Sequence, residues 1–123
     1  MTREEMKART KTYAKRIVKV CEALPDNWVA RTLGKQLLRS GTSVEANYRA
    51  VCRAKSTADF LNKLRIVEEE CDESLFWMEL LVECDLVRGA RLGSLMQEAN
   101  ELLSITVAAA RTTRTTNARA ARA

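Results

Sequence analysis

Five carboxylates fall within one six-residue stretch: Glu68, Glu69, Glu70, Asp72 and Glu73. Crowded acids can hold a divalent cation or share a proton for acid/base work. Upstream, Ser40, Ser43 and Asn47 stand at i, i+3 and i+7, which is one stripe of a helix. If the two segments are antiparallel helices joined near residues 55–57, partners sum to about 112. Ser43 then lies near Glu69 or Glu70, Arg39 near Asp72 or Glu73, and Asn47 near Arg65 or Ile66. A di-metal carboxylate bundle needs inward Glu from several helices plus Glu-x-x-His. This chain has no His, and its acids crowd on one helix. The reading taken is therefore a hydrogen-bonded layer that fixes helix register, made of Arg39, Ser40, Ser43, Asn47, Glu69, Glu70 and Glu73. A metal or acid/base site and a plain solvated face are the alternatives.

The other nucleophiles point the same way. Cys21, Cys52, Cys71 and Cys84 form no CxxC pair and lie in apolar helical patterns. They are expected to be reduced core residues; a disulfide or thiol switch is the alternative. No Gly-rich phosphate loop and no His-based dyad occurs. No catalytic residue, metal or cofactor is expected, and the protein is read as a non-enzyme.

Charge carries more information. Residues 1–55 hold 13 Lys/Arg and 5 Asp/Glu, a balance of +8. Residues 56–103 hold 4 and 11, so −7, and residues 104–123 hold four Arg and no acid. The cations singled out are Lys7, Lys11, Lys15, Arg16 and Lys19 near the start, and Arg111, Arg114, Arg119 and Arg122 near the end. They could contact phosphates. Equally, basic and acidic parts could neutralise each other on packing. Few aromatics interleave them, so stacking on single strands is poorly supported, and Trp28 at a helix start is expected to pack.

The elements that carry these residues are helices. Four Gly and one Pro leave room for few turns. Met6, Tyr13, Ile17, Val20/Cys21 and Leu24 predict a first helix from about Arg3 to Leu24, stopped by Pro25. Asp26 is the expected cap of a second helix over about Asn27 to Ala54. Gly41 sits inside it at a cost of ~1 kcal/mol against alanine, which implies a close helix approach. Ser56 with Asp59 resembles a capping box for a third helix. That helix carries Phe60, Leu64, Val67, Cys71, Leu75, Met78 and Val82, and breaks near Asp85 to Gly89. Leu92, Leu95/Met96, Ala99, Leu102/Leu103, Thr106 and Ala109 predict a fourth. Four helices with short connections imply an all-α, antiparallel up-and-down four-helix bundle over residues 1–110. Residues 111–123 are either a disordered basic tail or an extension of helix four. No apolar run approaches the ~20 residues that span a bilayer. The first residues lack a secretory signal's apolar core, so a cytoplasmic protein is expected.

The ordered pieces AKRIVKVCEALP, GKQLLRSGTSVEANYRAVCRAKS, DFLNKLRIVEEECDESLFWMELL and EANELLSI resemble the bacterial four helix bundle protein family. That family includes the S23-like proteins encoded by intervening sequences of 23S ribosomal RNA genes. The resemblance spans about Tyr13 to Leu103. Many relatives have Asn-Ile-Ala-Glu-Gly where this chain has Asn47-Tyr48-Arg49-Ala50-Val51, so it looks like a separate branch. The resemblance implies a homopentameric ring. It also implies a fold similar to the basic accessory proteins of diversity-generating retroelements, which partner a reverse transcriptase and nucleic acid. No catalytic residues come with it. Two roles follow: an oligomeric scaffold binding RNA or DNA through its basic surfaces, or a protein–protein adaptor whose basic and acidic faces serve ring assembly and docking of a protein partner.

Overall fold

The computed structural model describes residues 1–122, and its first three helices begin where a side-chain oxygen meets free backbone N–H groups. The Thr2 hydroxyl accepts from the Glu5 N–H at 3.1 Å and opens α1, Arg3–Glu22. Helix α1 ends two residues before the predicted Leu24, because the residue ahead of Pro25 disfavours helical geometry. The cap of α2, Trp28–Val51, is Asn27 rather than Asp26. Asn27 Oδ1 accepts from the Ala30 N–H at 2.9 Å, while Asp26, one residue too early, pairs with Arg31. Helix α2 stops short of Ala54, where tighter bonds from Arg53 N to Ala50 O and Ala54 N to Val51 O wind up its end. The Ser56 hydroxyl caps α3, Thr57–Glu83, accepting from the Asp59 N–H at 3.0 Å. Asp59 reaches back to the Lys55 N–H at 3.0 Å, one residue beyond the usual capping-box donor.

Asp85 turns the chain out of α3 with φ 59°, a left-handed conformation that Asp tolerates better than most residues. The Leu86 N–H then closes on Leu81 O at 2.9 Å, and α4 runs over Gly89–Arg122. Residues 111–122 thus continue helix four; Ala123 lies outside the described residues. No strand occurs among the described residues, and no helix is long and apolar enough to cross a membrane.

Successive helices pack side by side and α1 closes on α4. Along α1 and α2 the close approaches run from Lys11–Glu45 through Ile17–Gly41 to Leu24–Gly34. One number rises as the other falls, so the pair is antiparallel. Arg9–Glu98 and Arg16–Ser94 give the same sense for α1 and α4. The α1–α2 seam is tight because Gly34 and Gly41 remove side chains from it. The α1–α4 seam is looser, spanned by Arg9 to Glu98 and Glu101 and by Arg16 to Ser94.

Of the predicted stripes, Met6, Tyr13 and Ile17 in α1 and Leu92, Leu95, Ala99, Leu102 and Thr106 in α4 are buried, while Val20, Cys21 and Leu24 are half-buried and Ala110 takes the inner place expected of Ala109; α2 buries Leu37, Val44 and Val51. In α3 it is centred on Leu64, Val67, Cys71, Ser74, Met78 and Leu81, with Phe60, Leu75 and Val82 only half-buried. Ser74 can sit there because its hydroxyl is satisfied. It donates to Cys71 O at 2.8 Å and lies 2.7 Å from the buried Tyr13 hydroxyl, diagonally across the bundle. The cysteines are all free, but only Cys71 is fully buried, and Cys84 is exposed at the α3 cap. Burial pushes the Cys21 thiol up to about 11 and the Cys71 thiol to about 12, away from thiolate reactivity.

Candidate nucleic-acid interface

An up-and-down bundle brings distant parts of a chain to a common end. Here α1 starts, α2 finishes, α3 starts and α4 finishes at one end. The first and second of these are basic in sequence, and so is the last. Lys7 and Lys11 therefore meet Arg49 and Arg53 across the α1–α2 seam. These four cations, with Glu45 and the half-buried Cys52, line a cleft of about 340 Å3. Lys11 Nζ lies 3.9 Å from Glu45, and Lys7 Nζ lies 3.7 Å from Glu4 on its own helix. Four cations against one lining carboxylate leave the cleft electropositive. An adjoining cleft of about 430 Å3 is lined by Arg3, Lys55 and Thr113 among others. Cys52 lies in both clefts, so they are contiguous.

Arg49, Arg53, Arg3 and Lys55 were not singled out from the sequence. The signal for them was the register. Lys11 opposite Glu45 fixes Lys7 opposite Arg49, and glycine contacts at Gly34 and Gly41 fix that pairing. The other predicted cations divide. Lys15 and Lys19 are exposed on α1, with Lys19 beside Val20, Leu24, Val87 and Arg91 toward the opposite end. Arg16 is half-buried and donates to Ser94 Oγ at 2.9 Å, so it braces α1 against α4 and faces away from the basic cleft.

Arg111, Arg114, Arg119 and Arg122 are all exposed. Ala110 is the last buried residue of α4. The twelve residues beyond it extend ~18 Å at 1.5 Å per residue. At about 100° per residue, the four arginines fall within an arc of about 140°. Thr113, Asn117, Ala120 and Ala121 occupy the other side and continue the stripe of Leu102, Thr106 and Ala110. Thr113 and Thr115 return their hydroxyls to the carbonyls of Ala109 and Arg111, which leaves the helical bonds intact. Positive charge at a helix C-terminus also suits the macrodipole.

The predicted polar layer forms only in part. Arg39 reaches α3 as expected, with Nη1 3.1 Å from Glu70 and a second ion pair to Glu73. Glu73 is held below the usual carboxylate range, first by the Trp77 indole N–H at 3.1 Å and then by Arg39. Ser40, Ser43 and Asn47 do not meet the acidic cluster. Ser40 is buried and donates to Gln36 O at 2.8 Å, and Asn47 donates to Ser43 O at 2.8 Å. Back-bonding to the preceding turn satisfies them locally, so no partner on α3 is needed. Glu69 is exposed and pairs with Arg65 of its own helix at 3.8 Å. Among the described residues, no group of three or more Cys, Asp or Glu is placed to hold a metal ion. Trp28, expected to pack, is 72% exposed, and Phe76 is 52% exposed with its ring edge-on to Trp77.

Residues 4–108 match the family described as 23S rRNA-intervening sequence protein. The chain is also similar to a crystal structure, at 1.70 Å, of a protein with unknown function from the S23 ribosomal protein family of Bacteroides thetaiotaomicron VPI-5482. The TM-score is 0.84 and the identity 32%, over 90% of this chain and 99% of that one. No curated protein matches the chain. The family match ends before Ala110, so the arginine-bearing extension lies outside it.

Proposed function

Because the chain belongs to the 23S rRNA-intervening sequence protein family, we propose that it is a non-enzymatic cytosolic scaffold that assembles into a homopentameric ring and binds nucleic acid through one basic end. The observation that carries this reading is the juxtaposition of Lys7, Lys11, Arg49 and Arg53 in one cleft, beside Arg3 and Lys55. Clustered cations on one surface release counterions from a phosphate backbone, which gives salt-sensitive and largely sequence-independent affinity. The acidic α3 surface, with Glu68, Glu69 and Asp72, would repel the same backbone, so contact is confined to the end and the α1–α2 face.

A second reading is favoured by a separate observation. Trp28, Leu38 and Phe76 are large, apolar and exposed. Such residues suit subunit contacts or an adaptor surface. In that reading the α1 cations meet the acidic α3 of the next subunit and close a ring head to tail.

One set of variants separates the two. Lys7, Lys11, Arg49 and Arg53 are changed together to Glu. Light scattering then reports oligomer mass, and fluorescence anisotropy with labelled RNA and DNA reports binding across a salt series. The expected result is an intact oligomer whose affinity at low salt falls by about tenfold or more. Dissociation of the oligomer would instead assign these charges to assembly and remove the basis for the nucleic-acid reading.

A further inference from the structure

We propose that residues 111–122 of α4 form a helical arm that enters the major groove of duplex DNA, an inference that rests on the nucleic-acid reading above. Three observations converge on it. The arm leaves the bundle as a continuous helix, with no buried residue after Ala110 among the described residues. It presents Arg111, Arg114, Arg119 and Arg122 on one side and no acid on any side. Its remaining side chains are Ala, Thr and Asn, so the helix is slender.

Geometry chooses among nucleic acids. The major groove of B-form DNA is about 12 Å wide and admits an α-helix. Basic helices that run straight out of a helical assembly into that groove are an established docking mode. The A-form major groove of duplex RNA is too deep and narrow for side chains to read. Single strands are held by stacking on aromatic side chains, and the arm has none. With the arm seated, the side that bears the four arginines faces the groove, and they reach the phosphates that border it. At the root of the arm, Arg3 and Lys55 share a cleft with Thr113 and meet the adjoining backbone.

The test uses the full chain and two variants. One changes Arg111, Arg114, Arg119 and Arg122 to Gln, which keeps a helix and removes the charge. The other is Asn117→Pro, which keeps all four arginines and breaks the helix. Each is titrated by anisotropy against labelled duplex DNA, duplex RNA and single strands of matched sequence over a salt series. The native chain is expected to favour duplex DNA over duplex RNA by about tenfold or more. The Gln variant should lose that preference and about 3.6 units of the salt slope. Asn117→Pro should lose the preference as well. Equal affinity for DNA and RNA duplexes overturns the proposal, and so does an Asn117→Pro variant that binds duplex DNA like the native chain. Binding that persists unchanged in both variants overturns the arm while leaving the basic cleft standing. Absence of binding to every probe at low salt overturns both readings.

Discussion

Gly41→Leu lowers the free energy of unfolding by about 3 kcal/mol, among the largest effects of any single substitution in this chain. A Cβ on Gly41 would stand 2.7 Å and 2.8 Å from the two γ carbons of Ile17 and 3.1 Å from its Cβ. Ile17 is fully buried, and its Cβ is fixed to the backbone, so relief requires α1 to move bodily. Alanine at the same position meets the same first clash. It gains ~1 kcal/mol of helix propensity and loses roughly 1–3 kcal/mol to overpacking, so the net effect of Gly41→Ala runs from neutral to a loss of about 2 kcal/mol. Gly34 supplies the control. There the new Cβ would meet only the tip of Leu24, the far end of a half-buried flexible side chain. Leu24 can swing away, and Gly34→Ala is neutral or stabilising by up to ~1 kcal/mol. Urea titrations with unchanged slopes measure both. If Gly41→Ala proves no less stable than Gly34→Ala, the contact has been given too much weight.

Ser74→Ala is the second large effect, with a loss of about 2 kcal/mol. The substitution leaves the Tyr13 hydroxyl buried without its partner, since Tyr13 is fully buried and bonds to Ser74 at 2.7 Å. Tyr13→Phe is milder, about 1 kcal/mol, because Ser74 still donates to Cys71 O. The order matters more than the sizes. Removing the hydroxyl on one side strands a polar group, and removing both does not. The double variant should therefore be more stable than Ser74→Ala alone, a strongly non-additive cycle. Additive losses would mean that the stranded phenol finds other partners, and the pair would not be the centre of the core. Burial also raises the phenol far above its ordinary range, so Tyr13 stays a neutral donor at neutral pH.

Local rules made much of this fold legible. Pro25 and Ser56 mark two turns by their own chemistry. Periodicity found Met6, Tyr13 and Ile17, and Leu64, Val67 and Cys71, without knowledge of their neighbours. Gly41 announced a close approach because its cost within a helix needed an offset. What stayed hidden depends on contacts across the bundle. Nothing in the sequence marks Ser74 as buried until Tyr13, far away in sequence, is brought against it. Ser40 and Asn47 read as cross-helix partners because a polar side chain invites one, yet the preceding turn of their own helix was nearer. The register did place Arg39 near Glu73, and Glu70 lies one turn away. Charge was the least legible property. Counted along the chain, Arg49 and Arg53 belong to a diffuse basic half; folded, they complete a cleft begun by Lys7 and Lys11.

Unequal seams give this bundle a preferred line of opening. Helix α1 is joined to α2 by bare backbone at two glycines, and to α4 by the reach of Arg9 and Arg16. Long polar side chains resist separation far less than interlocked backbones, so thermal fluctuations part the bundle first between its first and last helices. Amide protons along that edge of α4 should exchange with solvent sooner than those of α2, whose inner face is sealed against both neighbours. The protein thus behaves mechanically as a folding screen of four leaves whose free edges are its first and last helices, and the last of them carries the arginines.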